Sequence, residues 1–159
     1  MQSTSLTRLQ ESFPDEIVGT HSRLGEDTAI LKPEALLRAA RFLKEEPGLR
    51  FDFLMDLTAV DFWKRKPRFE LVYHLYSRST NARLRLKAPL GGASPEAPSL
   101  AAVWPAADWY EREVFDMFGI RFRGHPDLRR ILMYKEFRGH PLRKDYPIDK
   151  RQPLVGPQD

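Results

Sequence analysis

Four charged residues between Trp109 and Phe118 have types and spacings that could support acid/base chemistry: Glu111, Arg112, Glu113 and Asp116. Two neighbouring carboxylates can serve as a general acid and a general base. Arg112 and Asp116 are four residues apart, which is the spacing of an ion pair on one helix face. Because ion-pair networks imitate the composition of active sites, we interpret the set as structural or as part of an interface.

Two similar basic segments follow, Arg123–Arg130 with Arg-Gly-His-Pro-Asp-Leu-Arg-Arg and Arg138–Lys144 with Arg-Gly-His-Pro-Leu-Arg-Lys. Glycine permits a tight backbone path and proline fixes φ, so His125 and His140 are expected at the tips of two similar turns. Their spacing is not that of a metal-binding motif. The sequence has no cysteine, which excludes Cys-ligated zinc, Cys-ligated iron-sulfur clusters and thiolate nucleophiles. We therefore predict no metal site.

The positive charge of the sequence is concentrated near its C-terminus. The formal net charge is +4, but residues 121–151 contain ten Lys or Arg and four Asp or Glu, a surplus of six, so the rest sums to minus two. A partner is therefore expected to bind this segment. Met1–Gln10 lacks the pattern of a signal peptide and no apolar run is long enough to span a membrane, which favours a cytoplasmic location.

Two kinds of partner fit the basic segment. Basic residues interleaved with aromatic ones are typical of grooves that bind single-stranded nucleic acid. A protein interface is favoured because arginine, aromatic residues and methionine are enriched in interface hot spots, and because the segment carries apolar residues that a phosphate-binding groove does not need: Leu128, Ile131, Leu132, Met133, Leu142 and Ile148. A small hydrolase that uses Glu111, Glu113 and His125 is a third, less favoured hypothesis.

Hydrophobic periodicity predicts a domain with both helices and strands. A hairpin is predicted within Glu16–Lys32, and a helix over Pro33–Glu46, ended by Pro47-Gly48. Apolar residues then alternate with other residues, as in half-buried strands, in three segments: Phe51–Leu57, Phe69–Leu75 and Arg83–Lys87. Such strands favour antiparallel pairing with one face covered by helices. The predicted fold class is α+β, a single domain with a mostly antiparallel sheet.

The remaining segments divide the chain at Gly119. Ala88–Ser99 is rich in Pro, Gly, Ala and Ser and is predicted to be a loop. A second helix is predicted to begin with a capping box formed by Asp108 and Glu111 and to end at Gly119. Prolines interrupt every later element. We predict a core domain over residues 1–119 and an extended, irregular, basic arm over residues 120–159 that a partner protein orders.

Two stretches resemble a known family. Tyr110–Met133 contains Glu-Arg-Glu, Asp-Met-Phe-Gly and Gly-His-Pro-Asp-Leu-Arg-Arg in unbroken order, and Gly139–Pro147 reads Gly-His-Pro-Leu-Arg-Lys-Asp-Tyr-Pro. This pattern resembles the subunit designated C of NADH-quinone oxidoreductase (respiratory complex I), which is the thirty-kilodalton subunit family of mitochondria. The similarity over Leu54–Leu86 is weaker.

The resemblance implies a non-catalytic structural subunit of the peripheral arm of the complex, attached at the cytoplasmic side of the inner membrane. It implies packing on the quinone-site subunit (designated D), with two iron-sulfur subunits (designated B and I) nearby, and no lipid or nucleic-acid partner. FMN, iron-sulfur clusters and quinone belong to those other subunits, and no catalytic, cofactor or metal residue is expected in this chain. Related subunits occur in membrane-bound hydrogenases and other complexes with different electron donors.

The family motifs, transferred position by position, predict the residues that form the subunit interface. They are Glu111, Arg112, Glu113, Asp116, Gly119, Gly124, His125, Pro126, Asp127, Leu128, Arg129, Arg130, Gly139, His140, Pro141, Leu142, Arg143, Lys144, Asp145, Tyr146 and Pro147. Within this set, Arg129, Arg130, Arg143 and Lys144 are expected to pair with acidic or carbonyl groups of the quinone-site subunit.

Overall fold

The main sheet has five strands in the order β1-β2-β5-β4-β3 in the computed structural model, which describes residues 3–153. The strands are β1 (Ile17–Arg23), β2 (Glu26–Leu31), β3 (Phe53–Asp61), β4 (Phe69–Ser77) and β5 (Ala82–Leu90). Neighbouring strands are antiparallel except β2 and β5, which are parallel. The predicted hairpin and the three predicted strands are confirmed. The parallel pair was not predicted, because periodicity in one strand does not identify its neighbour.

Three helices pack on one face of this sheet. They are α1 (Thr4–Ser12), α2 (Leu36–Glu45) and α3 (Ala107–Phe118), and a 3-10 turn, Pro33–Ala35, leads into α2. Helix α1 was not predicted from the sequence. The Ser3 side chain caps its N-terminus by accepting a hydrogen bond from the Leu6 amide. The helix predicted over Pro33–Glu46 corresponds to the 3-10 turn followed by α2.

Residues 88–99 differ from the predicted loop. Strand β5 continues to Leu90, and a short strand, β6 (Glu96–Pro98), pairs in parallel with β7 (Arg121–Arg123). Ala88 and Ala97 are fully buried. The loop prediction was therefore wrong at both ends of this segment. Its Pro, Gly and Ala residues are typical of loops, but here Ala88 and Ala97 are small residues that pack in the core.

The core lies between the helices and the inner face of the sheet. Its fully buried side chains include Leu9, Leu43, Leu71, Tyr73 and Leu86. This arrangement confirms the predicted α+β class. The division at Gly119 stays a prediction, although Ile120 and Phe122, just beyond it, also belong to the buried cluster. No helix within residues 3–153 is long and apolar enough to cross a membrane.

Candidate functional site

Helix α3 carries the charged set that the sequence singled out. Three of these residues, Glu111, Arg112 and Asp116, are buried, whereas Glu113 is exposed. The helix ends at Gly119, which has φ 73° in the left-handed region, so the predicted stop is confirmed. A Cβ built on Gly119 would lie 2.6 Å from the His140 ring. Glycine is therefore needed here for its dihedral angles and for space.

The capping box predicted at the start of α3 was wrong. The helix is preceded by Ala106, which makes no side-chain capping bond. Glu111 instead accepts hydrogen bonds from the Leu100 amide (2.6 Å) and the Ser99 hydroxyl (2.6 Å). Asp108 and Glu111 have the spacing of a capping box. Glu111 faces the core, however, and its hydrogen-bond donors come from residues 99 and 100, which local spacing cannot identify.

The helix ion pair predicted between Arg112 and Asp116 was also wrong. The Arg112 guanidinium lies 5.1 Å from the centre of the Trp109 ring and donates to the carbonyls of Arg129 and Arg130, each at 3.2 Å. Asp116 pairs instead with Arg130, through Nη1 at 2.6 Å. Arg112 and Asp116 therefore bind the arm and not each other. The arm offers Arg112 two backbone carbonyls and offers Asp116 a guanidinium and backbone amides.

Asp116 is the principal anchor of the arm. Its fully buried carboxylate accepts hydrogen bonds from three consecutive backbone amides, those of Ile131 (3.1 Å), Leu132 (2.9 Å) and Met133 (2.8 Å). Burial by itself would raise the pKa of Asp116, but these amides and the Arg130 guanidinium outweigh it and hold the pKa below its usual range. One side chain therefore fixes a segment of irregular backbone.

The two histidine turns have the predicted glycine geometry, with φ of 80° at Gly124 and 99° at Gly139. The rings point towards α3 and lie against it. His125 Nδ1 accepts from the Asp127 amide at 3.0 Å, so its Nε2 carries the proton and donates to the Asp108 carbonyl at 3.0 Å. His140 Nδ1 donates to the Asp116 carbonyl at 2.9 Å. The two rings therefore join the arm to both ends of α3. Within residues 3–153 there is no group of three or more His, Asp or Glu that could bind a metal ion.

A second anchor, which was not predicted from the sequence, joins the arm to the main sheet. The buried Asp61 carboxylate accepts two bonds from the Arg68 guanidinium, at 2.6 and 2.8 Å, and one from the Lys144 amide at 2.8 Å. Arg68 also reaches Asp145 in the arm at 2.9 Å. The Arg68 guanidinium holds the pKa of Asp61 far below its usual range. An aspartate at an inward position of a strand was the sequence signal for this anchor.

The predicted interface residues divide into three groups by exposure. The buried ones are Glu111, Arg112 and Asp116. The half-buried ones are Gly119, His125, Leu128, Arg130, His140, Pro141, Arg143 and Tyr146. The exposed ones are Glu113, Gly124, Pro126, Asp127, Arg129, Gly139, Leu142, Lys144, Asp145 and Pro147. The buried residues and several of the half-buried ones, among them Arg130, His140 and Arg143, meet where α3 contacts the arm. The exposed group lies mostly at the surface, although Asp145 binds Arg68.

Among the carboxyl groups of α3 that are buried, Glu111 has the pKa that burial raises on balance, whereas the pKa of Asp116 is lowered. The Glu111 side chain is fully buried, and burial raises its pKa from 4.5 to about 7, against the hydrogen bonds from Ser99 and Leu100. His125 Nε2 lies 4.0 Å away. A substrate cannot reach this carboxylate, and Glu113 lies on the exposed side of α3. The arrangement fastens backbone segments, which does not favour the hydrolase hypothesis.

The raised pKa of Glu111 predicts a pH-dependent stability difference. A carboxyl whose pKa is higher in the folded state destabilises the protein as pH rises from its unfolded pKa, 4.5, towards about 7. Glu111→Gln should therefore raise the free energy of unfolding at pH 8 by up to about 3 kcal/mol, at 1.36 kcal/mol per pKa unit, and change it little at pH 4. Urea unfolding of both proteins across this range measures the difference.

The control for this experiment is Glu113→Gln on the exposed side of the same helix. It should shift stability by less than about 0.5 kcal/mol at either pH. A Glu111→Gln effect that does not vary between pH 4 and pH 8 would show that folding does not raise the pKa of this carboxyl.

A family model described as "Respiratory-chain NADH dehydrogenase, 30 Kd subunit" matches residues 29–152. An NADH-quinone oxidoreductase subunit from Roseiflexus sp. (strain RS-1) is 48% identical over 146 residues, which cover 92% of this chain and 84% of that protein. The subunit of the same name from Citrifermentans bemidjiense is 44% identical over 154 residues, covering 96% and 94%.

Two solved structures are similar to this chain. The trypsin-resistant fragment (1-134) of Nqo5 superposes with a TM-score of 0.61 and 28% identity, covering 79% of this chain and 100% of that one. A chain of the membrane-bound sulfane sulfur reductase, an archaeal respiratory membrane complex, superposes with a TM-score of 0.75 and 26% identity, covering 90% and 84%.

Proposed function

Since this chain belongs to the 30 kDa subunit family of respiratory-chain NADH dehydrogenase, we propose that it is a non-catalytic structural subunit that presents its arm to a neighbouring subunit. The observation that carries the proposal is the fastening of the arm by Asp116 and Asp61. The sequence predicts an arm that a partner orders; these intramolecular anchors instead fix it in one conformation before it meets a partner, which lowers the entropic cost of binding.

The outward side of the arm supports this role. Leu132, Leu142 and Ile148 are exposed there to 57%, 53% and 105%, and Tyr134 to 36%. Large apolar side chains that stay exposed are frequent at protein interfaces, and the arm also carries the arginines and aromatic residues that are enriched in interface hot spots. The proposed partner for this side is the quinone-site subunit of the complex, with the two iron-sulfur subunits nearby.

The proposed function of the whole assembly is electron transfer from NADH to quinone through FMN and iron-sulfur clusters held by other subunits. This chain contributes no cofactor and no reacting group in that scheme. It sits at the cytoplasmic side of the inner membrane and reaches the membrane only through the complex. Arg130 and Arg143 already donate to groups of this chain, at Asp116 and at the Phe118 carbonyl, which leaves fewer free cations for a nucleic-acid partner.

A second candidate differs only in the electron donor. The similarity to a chain of the sulfane sulfur reductase complex supports an equivalent subunit in a complex that does not oxidise NADH. The fold and the arm anchors are compatible with either assembly, so the composition of the native complex distinguishes them. Co-purified subunits that bind FMN and NADH would support the first candidate, and their replacement by other donor subunits would support the second.

Charge reversal on the exposed side of the arm tests the proposed role. Arg129 and Lys144 are exposed, so Arg129→Glu with Lys144→Glu should leave the fold intact. Loss of one member of a desolvated charge pair costs about 2 to 5 kcal/mol, and the double variant should recover at least tenfold less of the quinone-site subunit. The measurement is affinity purification of the tagged chain from native membranes, followed by identification of the co-purified proteins.

The matched control reverses two exposed cations away from the arm, Lys32→Glu with Arg41→Glu, and should recover the quinone-site subunit normally. Undiminished recovery with the arm variant would refute these contacts. Recovery of RNA or DNA that survives physiological salt, in place of other subunits, would favour the nucleic-acid hypothesis.

A further inference from the structure

A groove lies on the face of the main sheet that the helices leave uncovered. Its floor includes Ile30 of β2 and Pro89 of β5, which alternate along their strands with core residues such as Leu31 and Ala88. Val18 of the edge strand β1, exposed to 62%, lines it as well. The groove has a volume of about 210 Å³. That exceeds the roughly 150 Å³ of an apolar cavity able to hold benzene, so one large side chain fits.

The loop between β3 and β4 forms the other wall and gives it a positive charge. Residues 62–68 contain four basic residues and no acidic one. Arg68 is neutralised by Asp61 and Asp145. Arg65 and Lys66 line the groove, and Lys64 precedes them in the same loop. All three are exposed, and none of them pairs with a carboxylate within residues 3–153.

The position of these charges is partly fixed. The Arg65 guanidinium lies over the Phe62 ring, 4.3 Å from its centre, and both residues line the groove. The one acidic residue that lines it, Glu70, is paired with Lys87 at 2.8 Å. The groove therefore combines an apolar floor with an uncompensated cationic rim.

We infer that this groove binds an acidic segment of another protein, inserting one large apolar side chain while flanking Asp or Glu residues meet Lys64, Arg65 and Lys66. A concave apolar floor requires a side chain to fill it, which an extended peptide supplies. Anionic lipid headgroups would use the same cations but would leave the floor empty. The positive charge of the rim favours a negatively charged partner, and the volume of the groove limits the size of the inserted side chain. Among residues 120–153 of the arm, none lines this groove.

Direct binding measurements on the full chain test the inference. The probe is a fluorescein-labelled peptide, Glu-Asp-Leu-Phe-Asp-Glu, followed by fluorescence anisotropy at physiological ionic strength. Saturable binding is expected, together with at least tenfold weaker binding of a peptide in which Gly-Ser replaces Leu-Phe. Lys64→Glu with Lys66→Glu should weaken binding of the first peptide about tenfold or more, and Val18→Ser about fivefold.

Arg23→Glu with Arg41→Glu, an equal charge change at two other exposed positions, is the control and should bind the probe as the parent does. Absence of saturable binding, or an equal loss in this control, would overturn the inference. So would equal binding of the two peptides, or binding of phosphatidylserine vesicles with no binding of the peptide. Because none of these readouts involves the quinone-site subunit, their failure would leave the proposed role of the arm unaffected.

Discussion

Asp116→Ala is expected to release the arm from α3 and to lower the free energy of opening this region by about 3 to 5 kcal/mol, the usual cost of breaking a buried charge pair. The substitution removes the acceptor of three backbone amides and leaves the Arg130 guanidinium without its carboxylate. Hydrogen exchange should show loss of protection at the amides of residues 131–133, and trypsin should cut at Arg129 or Arg130 far sooner.

Glu113→Gln again provides the control, because Glu113 lies three residues away on the exposed side of α3. Its exchange and cleavage rates should match those of the parent. If the arm of Asp116→Ala kept its protection at residues 131–133, the remaining contacts of Arg112, His125 and His140 would have to be sufficient to hold it.

Asp61→Ala should produce the second large loss, again about 3 to 5 kcal/mol, in the free energy of unfolding. It removes the buried carboxylate partner of the Arg68 guanidinium, which keeps only the more exposed Asp145, and it removes the acceptor for the Trp63 and Lys144 amides. Since the pKa of Asp61 is lowered by folding, its contribution is present above its unfolded pKa and is lost as pH falls below it. Urea unfolding at pH 7 measures the loss.

Asp52→Ala supplies the comparison for that experiment. Asp52 also binds an arginine, Arg78, at 2.7 Å, but the pair lies at the surface, where solvent screens it and its loss should change stability far less. The difference between the two variants isolates the effect of burial and of the additional amide donors. Equal losses in Asp61→Ala and Asp52→Ala would show that Asp61 is no more than another surface partner of arginine.

The elements that could be predicted from the sequence are those in which apolar residues recur several times at strand or helix spacing. Strand β4, Phe69–Ser77, has five inward positions in alternation, and α2 has four buried residues at helical spacing. Strands β6 and β7 have three residues each and pair across the chain between Glu96 and Arg121. A segment of three residues shows no period, and its partner depends on how the intervening helix α3 packs.

The candidate site was located by its motifs, but its bonding was not predicted. Local spacing suggested that Arg112 would pair with Asp116 and Asp108 with Glu111, because residues three or four apart share a helix face. The buried side of α3 instead meets backbone donors and acceptors of distant segments. Asp61 escaped notice for the same reason, since its partners, Arg68 and the Lys144 amide, meet it only after the sheet and the arm have formed.

The contact between Gly119 and the His140 ring restricts which amino acids position 119 can accommodate. Asparagine is the common alternative to glycine where a helix ends in left-handed backbone, and dihedral preference alone would admit it. The imidazole occupies the volume that any side chain would need, at 2.6 Å from the first carbon. Only a hydrogen atom fits, so a substitution of Gly119 must push the His140 ring away from its bond to the Asp116 carbonyl.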